Sequence, residues 1–171
     1  MNPFIHERDH IQGSTEAIVT LIQYGDYYCP YCSEVHRVTQ QIQAQLEDDL
    51  CYVFRHFPQT QLYPRVQKAA EAAEAAGNQG KFWQMHNKLF EKQSALTDVD
   101  FVEYAVELNL DVFRFLREIA EHAHAQRVQE DLRSGIERGI TRTPTFFINN
   151  VRHDGNWSLK SLLAAIEQYS R

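Results

Sequence analysis

The chain contains 171 residues, of which 43% are hydrophobic and 23% charged, and its formal net charge is −6. This length allows one compact domain with a sizeable core, or a domain that carries a large insertion. Positive residues are scattered among acidic ones, which argues against a nucleic-acid partner, and no segment approaches the roughly 20 apolar residues that membrane insertion requires.

The N-terminal segment, residues 1–13, is polar and lacks the apolar region of a secretory signal. As written, the sequence predicts a cytoplasmic protein; a chain trimmed of its signal would read the same and would be periplasmic. Three cysteines are too few to predict a disulfide-stapled scaffold. Two of them, Cys29 and Cys32, are separated by only two residues, and that spacing requires an explanation.

The elements before residue 60 alternate between strand and helix. Residues 17–24 are rich in β-branched and aromatic side chains and predict a buried strand. Cys29 then opens a helix, with Pro30 in the first turn, where its missing N–H is harmless. One face of that helix carries apolar residues at three- and four-residue intervals: Val35, Val38, Ile42 and Leu46. Residues 51–57 predict a second strand, which Pro58 ends.

From about residue 60 to residue 139 the sequence carries only helical patterns. The first helix is alanine-rich and is expected to end at Gly77, and a later one begins at the capping residue Thr97. Phe82, Trp83 and Phe90 are expected to lie in the core of this helical block.

Strands return after Gly139. Residues 145–148 and 151–153 predict a hairpin whose Asn149-Asn150 turn tolerates positive φ. Ser158 is expected to cap a final helix.

The segment Cys29-Pro30-Tyr31-Cys32 has the spacing of a redox dithiol. A helix N-terminus sets the Cys29 sulfur against unpaired N–H groups and the positive end of the helix dipole. The pKa of Cys29 is therefore expected to fall from about 8.5 into the range of about 3.5–7.5. Cys29 is predicted to attack a disulfide and form a mixed disulfide, and Cys32, one turn deeper, to resolve it.

Two other interpretations of the cysteine pair stay open. The pair could be half of a zinc site, but a second pair of ligands with similar spacing is missing. Cys51, His36 and the His122/His124 pair form no such arrangement in the sequence. The two cysteines could also be structural residues that happen to be close together.

Three segments resemble signature segments of the DsbA-like thioredoxin-fold proteins: residues 24–32, 54–58 and 139–149. They occur in the expected order, and the resemblance runs from about residue 8 to the C-terminus. It implies an α/β thioredoxin-like fold, with a central mixed sheet flanked by helices and an inserted all-helical domain. On this basis residues 1–59 and 140–171 form the thioredoxin-like domain and residues 60–139 the insertion. The implied activity is disulfide exchange with protein thiols.

The resemblance also gives Thr143 and Pro144 a role. In such proteins the proline before the third strand follows a cis peptide bond and lies beside the active-site cysteines. The backbone of Thr143 would then offer strand-like hydrogen bonds to a substrate chain. Pro30, Tyr31, Thr143 and Pro144 are thus expected to support the site.

Two positions depart from the family pattern. Related proteins usually carry a buried carboxylate six residues before the nucleophile, where it helps to move the proton of the resolving thiol; here that residue is Gln23, which cannot take a proton. Asp26, Glu34 and His36 are nearby candidates, but each is expected to be a solvated residue. Tyr31 stands where the strongly oxidising members have histidine, so a less oxidising pair is expected.

Several other residues invite a role. Cys51 is expected to pack as a small hydrophobe, and Arg55-His56 to be a structural strand end or a substrate contact. His122 and His124 lie two apart on a predicted helix and should point to different faces. Tyr27, Tyr28 and Tyr31 are candidates for a peptide-binding surface.

The sequence therefore predicts a thiol–disulfide oxidoreductase that acts on protein thiols or disulfides, with glutathione or a redox protein as a further partner. It is expected to need no bound cofactor, because the redox equivalents reside in Cys29 and Cys32, and no metal. Alternatives are a glutathione-linked glutaredoxin-like reductase or peroxidase, and a zinc-clipped chaperone or binding module. The direction of electron flow stays open.

Overall fold

A computed structural model describes residues 2–170. Its centre is a five-stranded mixed sheet with strand order β1-β3-β2-β4-β5. The strands are β1 His10–Gly13, β2 Val19–Gly25, β3 Leu50–His56, β4 Thr145–Ile148 and β5 Val151–His153. The helices are α1 Pro30–Leu46, α2 Val66–Gly77, α3 Phe82–Glu91, α4 Asp98–Glu107, α5 Val112–Ala120, α6 Ala125–Glu137 and α7 Leu159–Glu167. Within residues 2–170, no helix is both long and apolar enough to span a bilayer.

The two central strands are the ones that the sequence predicts most clearly. Strand β2 runs parallel to β3 and antiparallel to β4, and every residue of β2 and β3 is buried. A strand covered on both faces is mostly apolar on both, which explains why these segments show no alternation between apolar and polar residues.

Strand β1 is a correction to the sequence prediction, which assigned no strand before residue 17. Residues 10–13 pair antiparallel with β3 and lie at the edge of the sheet. Gly13 ends the strand at φ +82°, and a Cβ there would lie 2.0 Å from the carbonyl oxygen of Leu50. A strand this short, polar and half-buried depends on its hydrogen bonds to the neighbouring strand β3. Its own sequence has no apolar pattern from which a strand could be predicted.

The sheet separates two apolar clusters. The larger one lies on the side of α1 and α7 and continues into the helical block through α2 and α3. The smaller one lies behind the sheet and contains Ile22, Tyr24, Cys51, Val53, Phe57, Ile140 and Phe147. Cys51 is fully buried in this second cluster, so the predicted packing of its side chain is confirmed.

The inserted helical domain comprises α2 to α6, between β3 and β4. Phe82 and Phe90 are buried, as predicted, while Trp83 packs at the edge of the core. Helix α2 ends at Gly77, as predicted, but Gly77 is its last helical residue and lacks the positive φ of a glycine stop. Its role is close packing, because a Cβ there would lie 3.2 Å from the Cβ of Phe82. The boundaries 60 and 139 stay a prediction.

Buried charges join the helical block and the N-terminal segment to the end of β3. One carboxylate oxygen of Glu74, on α2, lies 2.8 Å from Nε2 of both His10 and His56. Arg55 donates two hydrogen bonds to the buried Asp9 carboxylate, at 2.9 and 2.7 Å. The Arg55-His56 pair is therefore a structural strand end, held by Asp9 and Glu74.

The hairpin between β4 and β5 turns at Asn149 and Asn150, with φ of 44° and 69°. Both values lie in the left-handed region that asparagine tolerates. The Ser158 side chain accepts a hydrogen bond from the backbone N–H of Ser161, as expected of a cap.

Candidate active site

Cys29 lies between the buried strand β2 and the start of α1. It has extended backbone angles (φ −74°, ψ 118°), and Pro30 occupies the first turn. The Cys29 carbonyl accepts the N–H groups of Cys32 at 3.1 Å and of Ser33 at 3.2 Å. The backbone N–H groups of Tyr31 and Cys32, at the start of the helix, also lie within hydrogen-bonding reach of the Cys29 sulfur.

The surroundings of Cys29 favour its thiolate. A hydrogen bond from the Cys32 thiol lowers the pKa of Cys29, and burial of the sulfur opposes this effect. Hydrogen bonds from Thr143 and from the backbone N–H groups of Cys32 and Tyr31 lower the pKa further. The result is a pKa of about 6 for Cys29. Roughly ten thiolates per thiol are then present at pH 7. Cys29 is the acidic member of the pair.

Cys32 has the opposite character. Its sulfur is fully buried one turn deeper in α1. Burial raises the pKa of Cys32 well above its ordinary value, and the hydrogen bond to Cys29 and the charge on Cys29 raise it further. The dithiol thus divides at neutral pH into an ionised Cys29 and a protonated Cys32.

The loop before β4 closes the site. The Thr143–Pro144 peptide bond is cis, as the family resemblance implies, and the Thr143 carbonyl lies 3.5 Å from the Cys29 sulfur. The Thr143 hydroxyl donates to Oε1 of Gln59 at 3.0 Å, and the Gln59 backbone N–H donates to Oδ2 of Asp26 at 2.8 Å. Three loops, after β2, after β3 and before β4, are therefore fastened around one sulfur.

A cavity of about 490 Å³ opens over Cys29. Tyr31 and Leu62 at its rim are 58% and 65% exposed, which is high for apolar side chains, and Arg142 is the charged residue in its lining. The lining residues are Cys29, Pro30, Tyr31, Gln59, Leu62, Tyr63, Arg142, Thr143 and Trp157. An exposed apolar rim beside a thiolate suits an extended peptide.

Comparison with known proteins agrees with this geometry. A family model described as thioredoxin matches residues 6–168. The chain belongs to the thioredoxin family. It is 26% identical to α-DsbA1 of Wolbachia pipientis, with a TM-score of 0.83 over 97% of this chain and 93% of that one. BdbD of Bacillus subtilis shares the fold at 22% identity, with a TM-score of 0.84 over 95% and 93% of the two chains. Its fold is that of the DsbA-like thiol–disulfide oxidoreductases.

Curated relatives with higher identity are much longer proteins. The chain is 41% identical over 166 residues to a protein of Salinispora arenicola named Na(+)/H(+) antiporter NhaA 1, covering 97% of this chain and 25% of that protein. A protein of Herminiimonas arsenicoxydans named Na(+)/H(+) antiporter NhaA is 38% identical over 169 residues, covering 99% and 27%. The chain therefore spans about a quarter of the length of these relatives.

Gln23 stands where the sequence resemblance leads one to expect a buried carboxylate, and the structure corrects the expectation for the neighbouring residues Asp26 and His36. Gln23 is buried, and its Oε1 accepts a 2.7 Å hydrogen bond from Tyr52. Asp26 and His36 are also buried, at 2% and 5% exposure, so the prediction that these two residues are solvated is wrong. Glu34 is exposed, as predicted. Nearby helices and loops cover Asp26 and His36, and the spacing of residues in the sequence does not reveal this burial.

Asp26 serves the loops around the site. Its carboxylate accepts the backbone N–H of Tyr28 at 2.7 Å and of Gln59 at 2.8 Å. Burial raises the pKa of Asp26, and these hydrogen bonds oppose the rise.

The predicted tyrosine surface is only partly correct. Tyr31 is exposed at the cavity and Tyr28 is half-buried. Tyr27 lies in the core, where its hydroxyl is 2.8 Å from Nδ1 of His86. Gln59 and Trp157 line the cavity but were not predicted as site residues, because only the fold brings them to Cys29.

The histidines considered as metal ligands face separate carboxylates. His122 Nδ1 lies 3.2 Å from Glu71, and His124 Nε2 lies 2.7 Å from Glu118. Among the residues that the structure describes, no group of three or more His, Cys, Asp or Glu side chains is arranged to hold a metal ion.

Proposed function

We propose that the protein exchanges disulfides with protein substrates, with Cys29 as the nucleophile and Cys32 as the resolving thiol. The observation that carries this proposal is the opposite acidity of the two thiols. Cys29 has a pKa of about 6 and faces a cavity, while burial keeps Cys32 protonated beside it. A nucleophile and a protonated partner one helical turn apart are what two successive exchange steps require.

In the reductive direction the Cys29 thiolate attacks one sulfur of a substrate disulfide. The substrate S–S bond breaks, a mixed disulfide forms, and the first substrate thiolate leaves. Cys32 then loses its proton and attacks the Cys29 sulfur, which releases the second thiolate and forms the Cys29–Cys32 disulfide. The substrate gains two electrons, the pair loses two, and the reverse sequence oxidises a substrate dithiol.

The cavity suggests an extended peptide as substrate. Thr143 lies beside Cys29 and would offer its backbone to the substrate chain, while Tyr31, Leu62 and Trp157 supply apolar contact. Pro30 and Pro144 hold the two backbone segments that border the sulfur. The pair itself carries the redox equivalents, so the proposal includes no bound cofactor and no metal.

Glutathione is a second candidate substrate, favoured by Arg142. This exposed guanidinium lines the cavity above Cys29 and would pair with a glutathione carboxylate. Turnover that requires glutathione, together with a glutathione adduct on Cys29, would identify this activity. Stoichiometric zinc that blocks both thiols of the purified protein would favour a binding module instead.

The direction of exchange follows from the compartment. We propose that a cytoplasmic protein would hold the pair as a dithiol and act as a reductase or isomerase, whereas a periplasmic one could act as an oxidant. Titration of the Cys29–Cys32 pair against a glutathione buffer gives its reduction potential, which distinguishes a reductase or isomerase from an oxidant.

The test of the proposed function is reduction of insulin disulfides by the Cys29→Ser protein. Turnover should be lost, because serine supplies no thiolate. Cys51→Ser is the matched control, since Cys51 is buried behind the sheet and burial raises its pKa to about 11. Normal turnover by Cys29→Ser would contradict the proposal.

A further inference from the structure

One side chain of the helical insertion, Gln93, reaches the backbone of the nucleophilic cysteine. Gln93 lies in the turn between α3 and α4, outside both helices. Its Nε2 donates hydrogen bonds to the carbonyl oxygen of Tyr27 at 2.9 Å and to the carbonyl oxygen of Cys29 at 2.8 Å. A single amide group of the insertion therefore holds two peptide planes of the loop that carries Cys29.

The turn that carries Gln93 is itself held against the same part of the chain. The Ser33 hydroxyl donates to the carbonyl oxygen of Phe90 at 3.0 Å, and the Tyr28 hydroxyl donates to the carbonyl oxygen of Leu96 at 3.2 Å. Phe90 and Leu96 lie on either side of Gln93 in the sequence. The half-buried Gln93 side chain therefore reaches the loop from a turn that is fixed at both ends.

The bond from Gln93 is not needed to satisfy the Cys29 carbonyl. That oxygen already accepts the backbone N–H groups of Cys32 at 3.1 Å and of Ser33 at 3.2 Å, and a carbonyl oxygen has two lone pairs. The bond from Gln93 is nevertheless the shortest of the three, at 2.8 Å. Its consequence therefore lies in the orientation of Cys29 and in the charge around its sulfur.

The orientation of the Cys29 carbonyl decides where the helix starts relative to the sulfur. The Cys29 ψ angle of 118° sets the direction of this carbonyl and of the chain that follows it. Hydrogen bonds from the backbone N–H groups of Tyr31 and Cys32 lower the pKa of Cys29 only while the sulfur stays beside them. A donor that holds the carbonyl therefore also holds the sulfur against these N–H groups.

The charge of the Gln93 amide acts in the same direction. A carbonyl oxygen is the negative end of a dipole, and negative charge near a thiol raises its pKa. The N–H groups of Gln93 offset this charge at two carbonyls, and they do so at every pH because the amide does not titrate. The charged residues around the loop are Asp26, after β2, and Arg142, before β4, and neither belongs to the turn that carries Gln93.

We propose that Gln93 is a positioning residue for the attacking sulfur: its amide holds the Tyr27 and Cys29 carbonyls and thereby keeps the Cys29 thiolate beside the N–H groups at the start of α1. Gln93 acts through the backbone of Cys29 and takes no part in bond making. The helical insertion thus contributes to the reactivity of the nucleophile. The inference rests on the proposed function, in which Cys29 is the attacking sulfur.

The experiment measures the pH dependence of Cys29 alkylation by iodoacetamide in Gln93→Glu and Gln93→Met. Glutamate has nearly the same shape as glutamine, but its carboxylate only accepts hydrogen bonds and carries a negative charge. The alkylation midpoint of Gln93→Glu should rise from about 6 by about one pH unit or more. Methionine keeps the length of the side chain without a donor or a charge, so the midpoint of Gln93→Met should rise by a smaller amount.

Ser94→Glu is the matched control, because it adds the same charge to the exposed neighbour of Gln93, and its midpoint should stay near 6. A wild-type midpoint in both Gln93 variants would overturn the inference, and Gln93→Met decides alone if Gln93→Glu does not fold. An equal rise in Ser94→Glu and Gln93→Glu, without a rise in Gln93→Met, would indicate a general effect of charge and also overturn it.

Thermal unfolding of the same variants separates positioning from a purely structural role. A lower melting temperature of Gln93→Met with an unchanged alkylation midpoint would assign Gln93 to stability alone and overturn the inference. Reduction of insulin disulfides tests the proposed function separately. A wild-type protein without this activity would refute the proposed function, whereas the alkylation midpoints would still report on Gln93.

Discussion

The acidity of Cys29 depends first on the thiol of Cys32, and this can be tested by removing that donor. A hydrogen bond to a charged group contributes about 1.5–3 kcal/mol. One pKa unit corresponds to about 1.36 kcal/mol, so Cys32→Ala should raise the pKa of Cys29 from about 6 to about 7–8. Cys32→Ser retains a donor and should raise it less.

The assay is the pH dependence of alkylation of Cys29 by iodoacetamide. Only the thiolate reacts, so the wild-type rate should fall by about tenfold per pH unit below 6 and level off above it. Cys51 should stay silent, because burial raises its pKa to about 11. A midpoint near 6 in Cys32→Ala would show that the Cys32 thiol does not lower the pKa of Cys29 and would assign the acidity to the helix N-terminus alone.

Three further outcomes follow from the packing and charge of the fold. Arg55→Leu should lower the free energy of unfolding by about 3–5 kcal/mol, because it leaves the buried Asp9 carboxylate unpaired. Gly135→Ala should cost about 1–2 kcal/mol, since its Cβ would lie 2.6 Å from a ring carbon of Phe57 and such overpacking exceeds the gain in helix propensity. Arg142→Glu should slow attack on an acidic disulfide peptide by about tenfold at low salt, and a basic peptide should show the opposite effect.

Each outcome has its own control. Urea unfolding measures the effects of Arg55→Leu and Gly135→Ala on the free energy of unfolding. The control for Arg55→Leu is the double variant Arg55→Leu/Asp9→Leu, which should recover part of the lost stability. The control for Gly135→Ala is Gln126→Ala on the exposed side of α6, which should be close to neutral. No difference between Arg55→Leu and the double variant would contradict the ion-pair argument, and a stabilised Gly135→Ala would contradict the packing argument. Equal effects of Arg142→Glu on both peptides would exclude charge recognition.

The part of the fold that the sequence predicts is the part set by local rules. Strands β2 and β3 are readable because both faces are buried and both segments are dominated by β-branched, aromatic and other apolar residues. Helix α1 is readable because Pro30 fits its first turn and apolar residues recur on one face. The N–H groups at the start of the helix predict a low pKa for Cys29, but the largest cause of the lowering is the hydrogen bond from the Cys32 thiol.

The rest depends on contacts between distant segments. Strand β1 has no apolar pattern and is formed by pairing with β3. Asp26 and His36 look like surface residues in a linear reading, but loops and helix α3 cover them. Gln59 and Trp157 reach the cavity only because β3 and α7 flank the same sulfur. These are tertiary effects, and no spacing in the chain predicts them.

The proposed exchange requires Cys29 to be the attacking sulfur and Cys32 the resolving one. Incubation of the Cys32→Ser protein with a disulfide-bonded peptide substrate, followed by peptide mapping under non-reducing conditions, tests it directly. A stable mixed disulfide on Cys29 is expected. A substrate adduct on Cys51, or no adduct while the wild-type protein turns the substrate over, would contradict it.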